Sequence, residues 1–170
     1  MLVCPLPHPS TTNCTSGNTN NSPAICISSK NIIYTIGYGG RRFENFLNLL
    51  KKHGINQVID VRRFPKSKYS EYVRENLEQE LPKLGIGYVF MGDTLGGFRR
   101  GYQEYMKTEA YMRGIKDLLD LAKRGRIAIM CLERSPKGCH RRYISQTLQD
   151  LGVKILHIIR DDEIQEETFS

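Results

Sequence analysis

Between residues 31 and 159, short apolar runs alternate with stripes of apolar residues at helical spacing. Asn31 to Ile36 (NIIYTI) is an apolar run closed by Gly37-Tyr38-Gly39-Gly40, the pattern of a strand ending in a turn. Phe43, Phe46, Leu47 and Leu50 then recur at i, i+3, i+4, i+7, one face of a helix that Gly54 stops. Gln57 to Val61 (QVIDV) reads as a second strand. Val73, Leu77, Leu81 and Leu84 mark a helix in which Pro82 predicts a kink or an early end. Gly87 to Met91 (GYVFM) is a third strand. Ile115, Leu118, Leu119 and Ala122 give a helix stopped at Gly125, and Arg126 to Cys131 (RIAIMC) is a fourth strand. Tyr143, Ile144, Thr147, Leu148 and Leu151 form the last helical stripe, stopped by Gly152. Lys154 to Ile159 (KILHII) is a fifth strand, and an acidic tail follows.

Strands separated by helices require crossover connections and so a parallel sheet. Strands four and five are nearly continuous in apolar residues, as expected when both faces are covered. The expected fold is an α/β three-layer sandwich, with a mainly parallel sheet of about five strands and helices on both faces.

Composition divides the chain. Of its 170 residues 39% are hydrophobic, and no apolar run is long enough to span a bilayer, so no membrane association is expected. Residues 1–30 hold no Asp or Glu and one basic residue, Lys30, within Ser, Thr, Asn and Pro. Such a stretch cannot bury enough apolar surface to offset its ordering entropy, and it reads as a disordered low-complexity extension. It has neither the basic nor the apolar region of a signal peptide. The single α/β domain is placed at residues 31–165 and a C-terminal tail at 166–170. Cys4, Cys14 and Cys26 are spaced unlike zinc ligands. With no disulfide framework evident, a reducing cytoplasm is the expected location.

The formal net charge of +7 gains meaning from its placement. Basic residues and glycines cluster after predicted strands, where open parallel sheets bind ligands. Gly37 and Arg41-Arg42 follow strand one, Arg62-Arg63-Phe64-Pro65-Lys66 strand two, and Gly96-Gly97-Phe98-Arg99-Arg100 strand three. Arg134 through Arg142 follow strand four, and Arg160 with Asp161 and Asp162 strand five. Guanidinium forks grip phosphate, and glycines let backbone approach it. The expected anion-binding set is Arg62, Arg63, Arg134, Arg141, Gly37 and Gly97, for an anionic ligand such as a nucleotide or nucleic acid. Tyr38, Tyr69, Tyr72, Tyr102 and Tyr105 lie near these loops and could stack on bases.

The segment Cys131 to Arg142 carries most of the candidate chemistry. Cys139 falls at or just before a helix start, where the dipole and neighbouring arginines lower a thiol pKa. Cys139 and His140 are therefore candidate nucleophile and acid–base group, with Cys131 and Asp60 as further catalytic candidates. Cys131 equally suits a small buried hydrophobe, His140 a cap, and Asp60 a brace paired with Arg62. Counting C-x5-R from Cys131 reaches Lys137, so the phosphatase spacing is not met, and seven residues between the thiols exclude a C-x-x-C pair. Cys131, Cys139 and His140 lack a clear fourth ligand, so neither metal nor other cofactor is expected.

Ile36-Gly37-Tyr38, Asp60-Val61-Arg62-Arg63-Phe64-Pro65, Leu95-Gly96-Gly97, and Met130-Cys131-Leu132-Glu133 leading to Cys139-His140-Arg141 together resemble the domain of unknown function 488 family, over roughly residues 32–158. The resemblance implies a compact α/β domain whose motif residues gather at one pocket, and no settled reaction. Members usually carry His where this chain has Tyr38. A fainter likeness to rhodaneses rests on Asp60-Val61-Arg62 and on a cysteine ending a later strand. Three functional readings stand open. They are an enzyme acting on a nucleotide or nucleic acid, a non-catalytic nucleic-acid-binding domain, and a thiol-dependent sulfur-transfer protein.

Overall fold

The computed structural model describes residues 32–97, 101–160 and 163–167. Expectations for residues 1–30, and for Phe98-Arg99-Arg100 and Asp161-Asp162, fall outside that range. The strands are β1 (Ile32–Gly37), β2 (Gln57–Asp60), β3 (Gly87–Phe90), β4 (Ile127–Cys131), β5 (Lys154–Ile158) and β6 (Ile164–Glu166). The helices are α1 (Phe43–Lys52), α2 (Arg74–Lys83), α3 (Gly92–Leu95), α4 (Tyr102–Tyr105), α5 (Glu109–Arg124) and α6 (Arg141–Asp150). The sheet runs β3-β2-β4-β1-β5-β6, with every pairing parallel except β5 with β6.

Alternation along each strand sends side chains to two cores. Ile127, Ile129 and Ile155 face Tyr111, Ile115 and Leu118 of α5 and Ile144 and Leu148 of α6. Ala128, Met130 and Ile158 face Phe46 and Leu50 of α1 and Leu77 and Leu81 of α2. Most of these side chains are fully buried, each contributing roughly 1.5–3 kcal/mol for its apolar area. The expected three-layer α/β sandwich is thus the observed one, with a sixth strand added. β6 is that strand. It pairs Gln165 with His157, carries the fold into what was expected to be tail, and uses residues with no apolar pattern. Strand pairing, which any backbone can make, formed it.

Pro82 lies inside α2, one residue from its end. Its missing N–H deprives only the last turn, and the helix ends one residue later, at Lys83. The expected helix start near Cys139 falls at Arg141, after a 3-10 turn over Pro136–Gly138.

The strand order creates the site. Leaving β1 and β2 the chain passes to the α1/α2 side, whereas leaving β4, which lies between them, it passes to α6 on the opposite side. Loops that part in opposite directions leave a crevice above the carboxyl ends of the strands.

Candidate active site

A cleft of about 390 Å³ opens at that crevice. Cys131, Cys139 and His140 stand together in it, with Gly97 beside them and Arg63, Phe64 and Lys66 at its β2 side. A groove of about 650 Å³ beside the start of α1 is larger, but it is lined by Arg42, Glu44, Tyr69 and Glu71 and holds no nucleophile.

Cys131 is the last residue of β4 and is fixed by the sheet, whereas Cys139 sits on extended backbone between the 3-10 turn and α6. Cys139 Sγ lies 3.7 Å from His140 Nδ1. His140 Nε2 lies 3.0 Å from the Val61 carbonyl oxygen. A carbonyl cannot donate, so Nε2 carries the hydrogen and Nδ1 is left to accept the Cys139 proton. The imidazole packs against Gly97 and Tyr102. A Cβ on Gly97 would come within 2.6 Å of Nδ1, so only glycine lets the ring sit there. Tyr102 stands 5.7 Å away, its hydroxyl anchored to the Leu95 carbonyl.

The two thiols differ sharply. Cys139 is held well below the ordinary thiol range, first by a hydrogen bond from Cys131, then by His140 and the charge of Arg141, against its burial. Cys131, the donor in that hydrogen bond and itself desolvated, is pushed far upward. The lowered thiol, Cys139, is also the one that stands beside His140 Nδ1. The Cys131, Cys139 and His140 ligand atoms lie within 4.8 Å of one another, the one such trio among the described residues that could hold a metal. With no fourth protein ligand among the described residues, the trio does not make a closed structural site.

Beneath the sulfurs lies Arg141, fully buried. Its Nη1 donates to Thr35 Oγ1 at 3.2 Å, and its Nη2 to the carbonyls of Glu133 and Arg134, pinning the loop after β4. Its Nε has no partner, and among the described residues no carboxylate pairs with it. Behind it runs a chain of hydrogen bonds. His157 Nε2 donates to Glu167, so Nδ1 accepts from the Thr35 hydroxyl at 2.6 Å, and Thr35 accepts from Arg141. Burial pushes the His157 pKa down despite the Glu167 carboxylate.

Asp60 and Arg62 form a closed unit at the end of β2. Asp60 Oδ2 accepts from Arg62 Nη2 at 2.6 Å and from the Tyr88 hydroxyl at 2.7 Å, while Oδ1 accepts from Arg62 Nε at 2.9 Å. Arg62 Nη1 reaches the Tyr72 carbonyl at 2.8 Å and the Tyr38 hydroxyl at 3.2 Å. Burial opposes the guanidinium charge, but the bonds to Asp60 and Tyr38 more than offset it and raise the Arg62 pKa.

Of the sequence-predicted catalytic candidates, Cys131, Cys139 and His140 meet in the cleft; Arg62, a predicted anion binder, stands at its wall with its guanidinium held by Asp60. Asp60 lies below it at 0% exposure, engaged with Arg62 and Tyr88. Among the predicted anion binders, Arg63 and Gly97 line the cleft and Arg141 is buried beneath it. Arg134 lies outside, tying Gly39 and Gly40 by their carbonyls at 2.7 and 2.6 Å. Gly37 serves packing, since a Cβ there would meet the Glu133 carbonyl oxygen at 1.9 Å. Tyr38, Tyr72 and Tyr102 are buried, and of the five tyrosines expected near bases Tyr69 alone is exposed. Sequence reasoning missed Thr35, Tyr88, His157 and Glu167. His157 alone carried a signal, a histidine inside the apolar run KILHII.

No curated protein and no solved structure matches the chain. The model of the domain of unknown function DUF488 matches residues 42–148, which include β2, β4 and the whole segment from Cys131 to Arg141. The chain therefore belongs to the DUF488 family.

Proposed function

We propose that this domain is a thiol-dependent enzyme that performs nucleophilic displacement on a small phosphate-bearing substrate of nucleotide size. The observation that carries the reading is the Cys139–His140 pair, with His140 Nδ1 3.7 Å from the sulfur and its other nitrogen fixed on Val61. An imidazole oriented by a third group beside a thiol is the arrangement that activates a cysteine nucleophile. The fully buried Arg141 adds a positive charge that no carboxylate neutralises among the described residues, and a buried cation favours an anion at the neighbouring sulfur.

His140 takes the Cys139 proton, and Sγ attacks the electrophilic centre. A bond to sulfur forms as the bond to the leaving group breaks, and His140 returns the proton to that group. Water then displaces the sulfur, its proton passing to His140. Arg63 and Lys66, both lining the cleft, supply the charge for the substrate's anion, and Phe64, 65% exposed, supplies a face for its ring. About 390 Å³ admits a nucleotide-sized molecule and not a duplex. Arg62 and Arg141 are engaged internally, which weakens the reading of a flat nucleic-acid-binding surface. A cytoplasmic location suits a working thiol, because thiols are kept reduced there. No described helix is long and apolar enough to cross a membrane.

The test is alkylation of the full chain by iodoacetamide across pH, followed by peptide mapping. A small reference thiol slows about tenfold per pH unit below its pKa of about 8.5. Cys139 is expected to keep a nearly flat profile through neutral pH, to lose it in His140→Ala, and to be protected by a nucleoside monophosphate but not by the nucleoside. A Cys139 profile that tracks the reference thiol would overturn the reading.

A further inference from the structure

We propose that Cys131 is the resolving partner of Cys139: when a hydroperoxide oxidises Cys139, Cys131 closes a reversible disulfide with it across the floor of the cleft. The inference rests on the nucleophile reading above and adds a second reaction at the same sulfur, driven by an oxidant instead of a substrate.

Both sulfurs line one cleft, are nearly buried at 7% and 6% exposure, and lie within 4.8 Å of each other. A disulfide needs about 2.05 Å, so the gap to be closed is under 3 Å. The two cysteines differ in how they are held. Cys131 is locked in β4, hydrogen-bonded to its neighbours through the register with Gly37. Cys139 ends a short 3-10 turn, and the space beside Gly138 is open, with nothing within 4 Å of where its Cβ would stand. Movement of that turn can carry Cys139 toward the fixed sulfur. The cleft admits a small oxidant and a small reductant, while burial keeps larger thiols from competing for the oxidised sulfur.

The chemistry balances. The Cys139 thiolate attacks the terminal oxygen of the hydroperoxide; an S–O bond forms, the O–O bond breaks, and the departing alkoxide takes the proton held by His140 to leave as an alcohol. Cys131 then attacks Cys139 Sγ. The S–S bond forms, the S–O bond breaks, and hydroxide leaves with the Cys131 proton as water. Two thiols are oxidised by two electrons and one hydroperoxide is reduced. The arrangement stops Cys139 at a reversible stage, since a sulfenic acid without a resolving thiol proceeds to irreversible acids.

The experiment treats the full reduced chain with hydrogen peroxide near stoichiometry, then maps peptides with and without dithiothreitol. The expected product joins the Cys131 and Cys139 peptides and is released by dithiothreitol. In Cys131→Ser, dimedone is expected to trap Cys139 as its main adduct, whereas in the unsubstituted chain that adduct is scarce. A dimedone adduct of Cys139 in the unsubstituted chain with Cys131 still alkylatable, or links running instead to Cys4, Cys14 or Cys26, overturns the proposal. The iodoacetamide profile, measured on the same preparation, separates the two ideas. A flat Cys139 profile without the linked peptide removes the resolving role and leaves the nucleophile standing; a profile like the reference thiol removes both.

Discussion

Arg62 and Arg141 are both buried at the carboxyl edge of the sheet, at 5% and 0% exposure, yet they do opposite things to their surroundings. Arg62 is neutralised in place by Asp60, which in turn accepts from Tyr88. That unit is closed, and its field ends within it. Arg141 is hydrogen-bonded to two carbonyls and a threonine and has no carboxylate among the described residues. Its Nε is left without a partner and its charge without a carboxylate among the described residues, and that charge acts on the thiol of Cys139. The same residue type therefore braces a loop at the end of β2 and, on the proposed reading, prepares a nucleophile after β4. Whether a buried arginine is scaffold or machinery depends on where its counter-charge comes from.

The largest effect should come from breaking the closed unit. Asp60→Ala leaves Arg62 buried and unpaired and is expected to cost about 3–5 kcal/mol in urea unfolding. The alkylation profile of Cys139 should stay flat in any folded fraction. A profile shifted as far as in the Arg141 variant would show that the two units are not independent. Arg141→Met keeps the bulk but removes donors from the Glu133 and Arg134 carbonyls, an expected loss of about 2–3 kcal/mol. Here the midpoint of the Cys139 profile should move toward neutral pH, which is what separates Arg141 from a mere brace.

Gly37→Ala tests the frame that both units share. Its Cβ would press on the Glu133 carbonyl at 1.9 Å, and overpacking of this kind costs about 1–3 kcal/mol. The smallest effect is reserved for the chain behind Arg141. His157 has a lowered pKa in the fold, so below its unfolded value of about 6.5 the unfolded chain binds the proton more readily. Stability should therefore fall as pH drops below that value, by less than about 1.4 kcal/mol per pH unit, and His157→Gln should flatten this slope. Equal slopes in both proteins would remove His157 from the account.

Much of the fold was legible because helices and strands announce themselves by period. The stripe Ile115, Leu118, Leu119 became the buried face of α5, and RIAIMC became β4 with both faces covered. The sixth strand was not legible, since Ile164–Glu166 joins by backbone pairing at an edge and carries no apolar pattern. In the site, Cys139 and His140 were visible as neighbours at a helix start, and Cys131 as the end of a strand. Their meeting was visible only as a possibility, because it requires the 3-10 turn to fold the loop back on β4. Sequence placed Asp60, Arg134 and Arg141 among ligand-facing groups because it counts charges near strand ends. Exposure is not written in that count.

What the sequence alone determined is the alternation of elements, the two-faced core, and the gathering of chemistry at the carboxyl ends of the strands. Those follow from periodicity, turn residues and the rule that crossover loops return to one edge. The tertiary structure decided the rest. It placed β4 between β1 and β2, opened the cleft there, gave Arg62 a carboxylate and denied Arg141 one, and set the Cys139 sulfur beside an oriented imidazole. The physical reason is that charge and hydrogen bonding act across space over a few ångströms, between residues as far apart in the chain as Thr35 and Arg141.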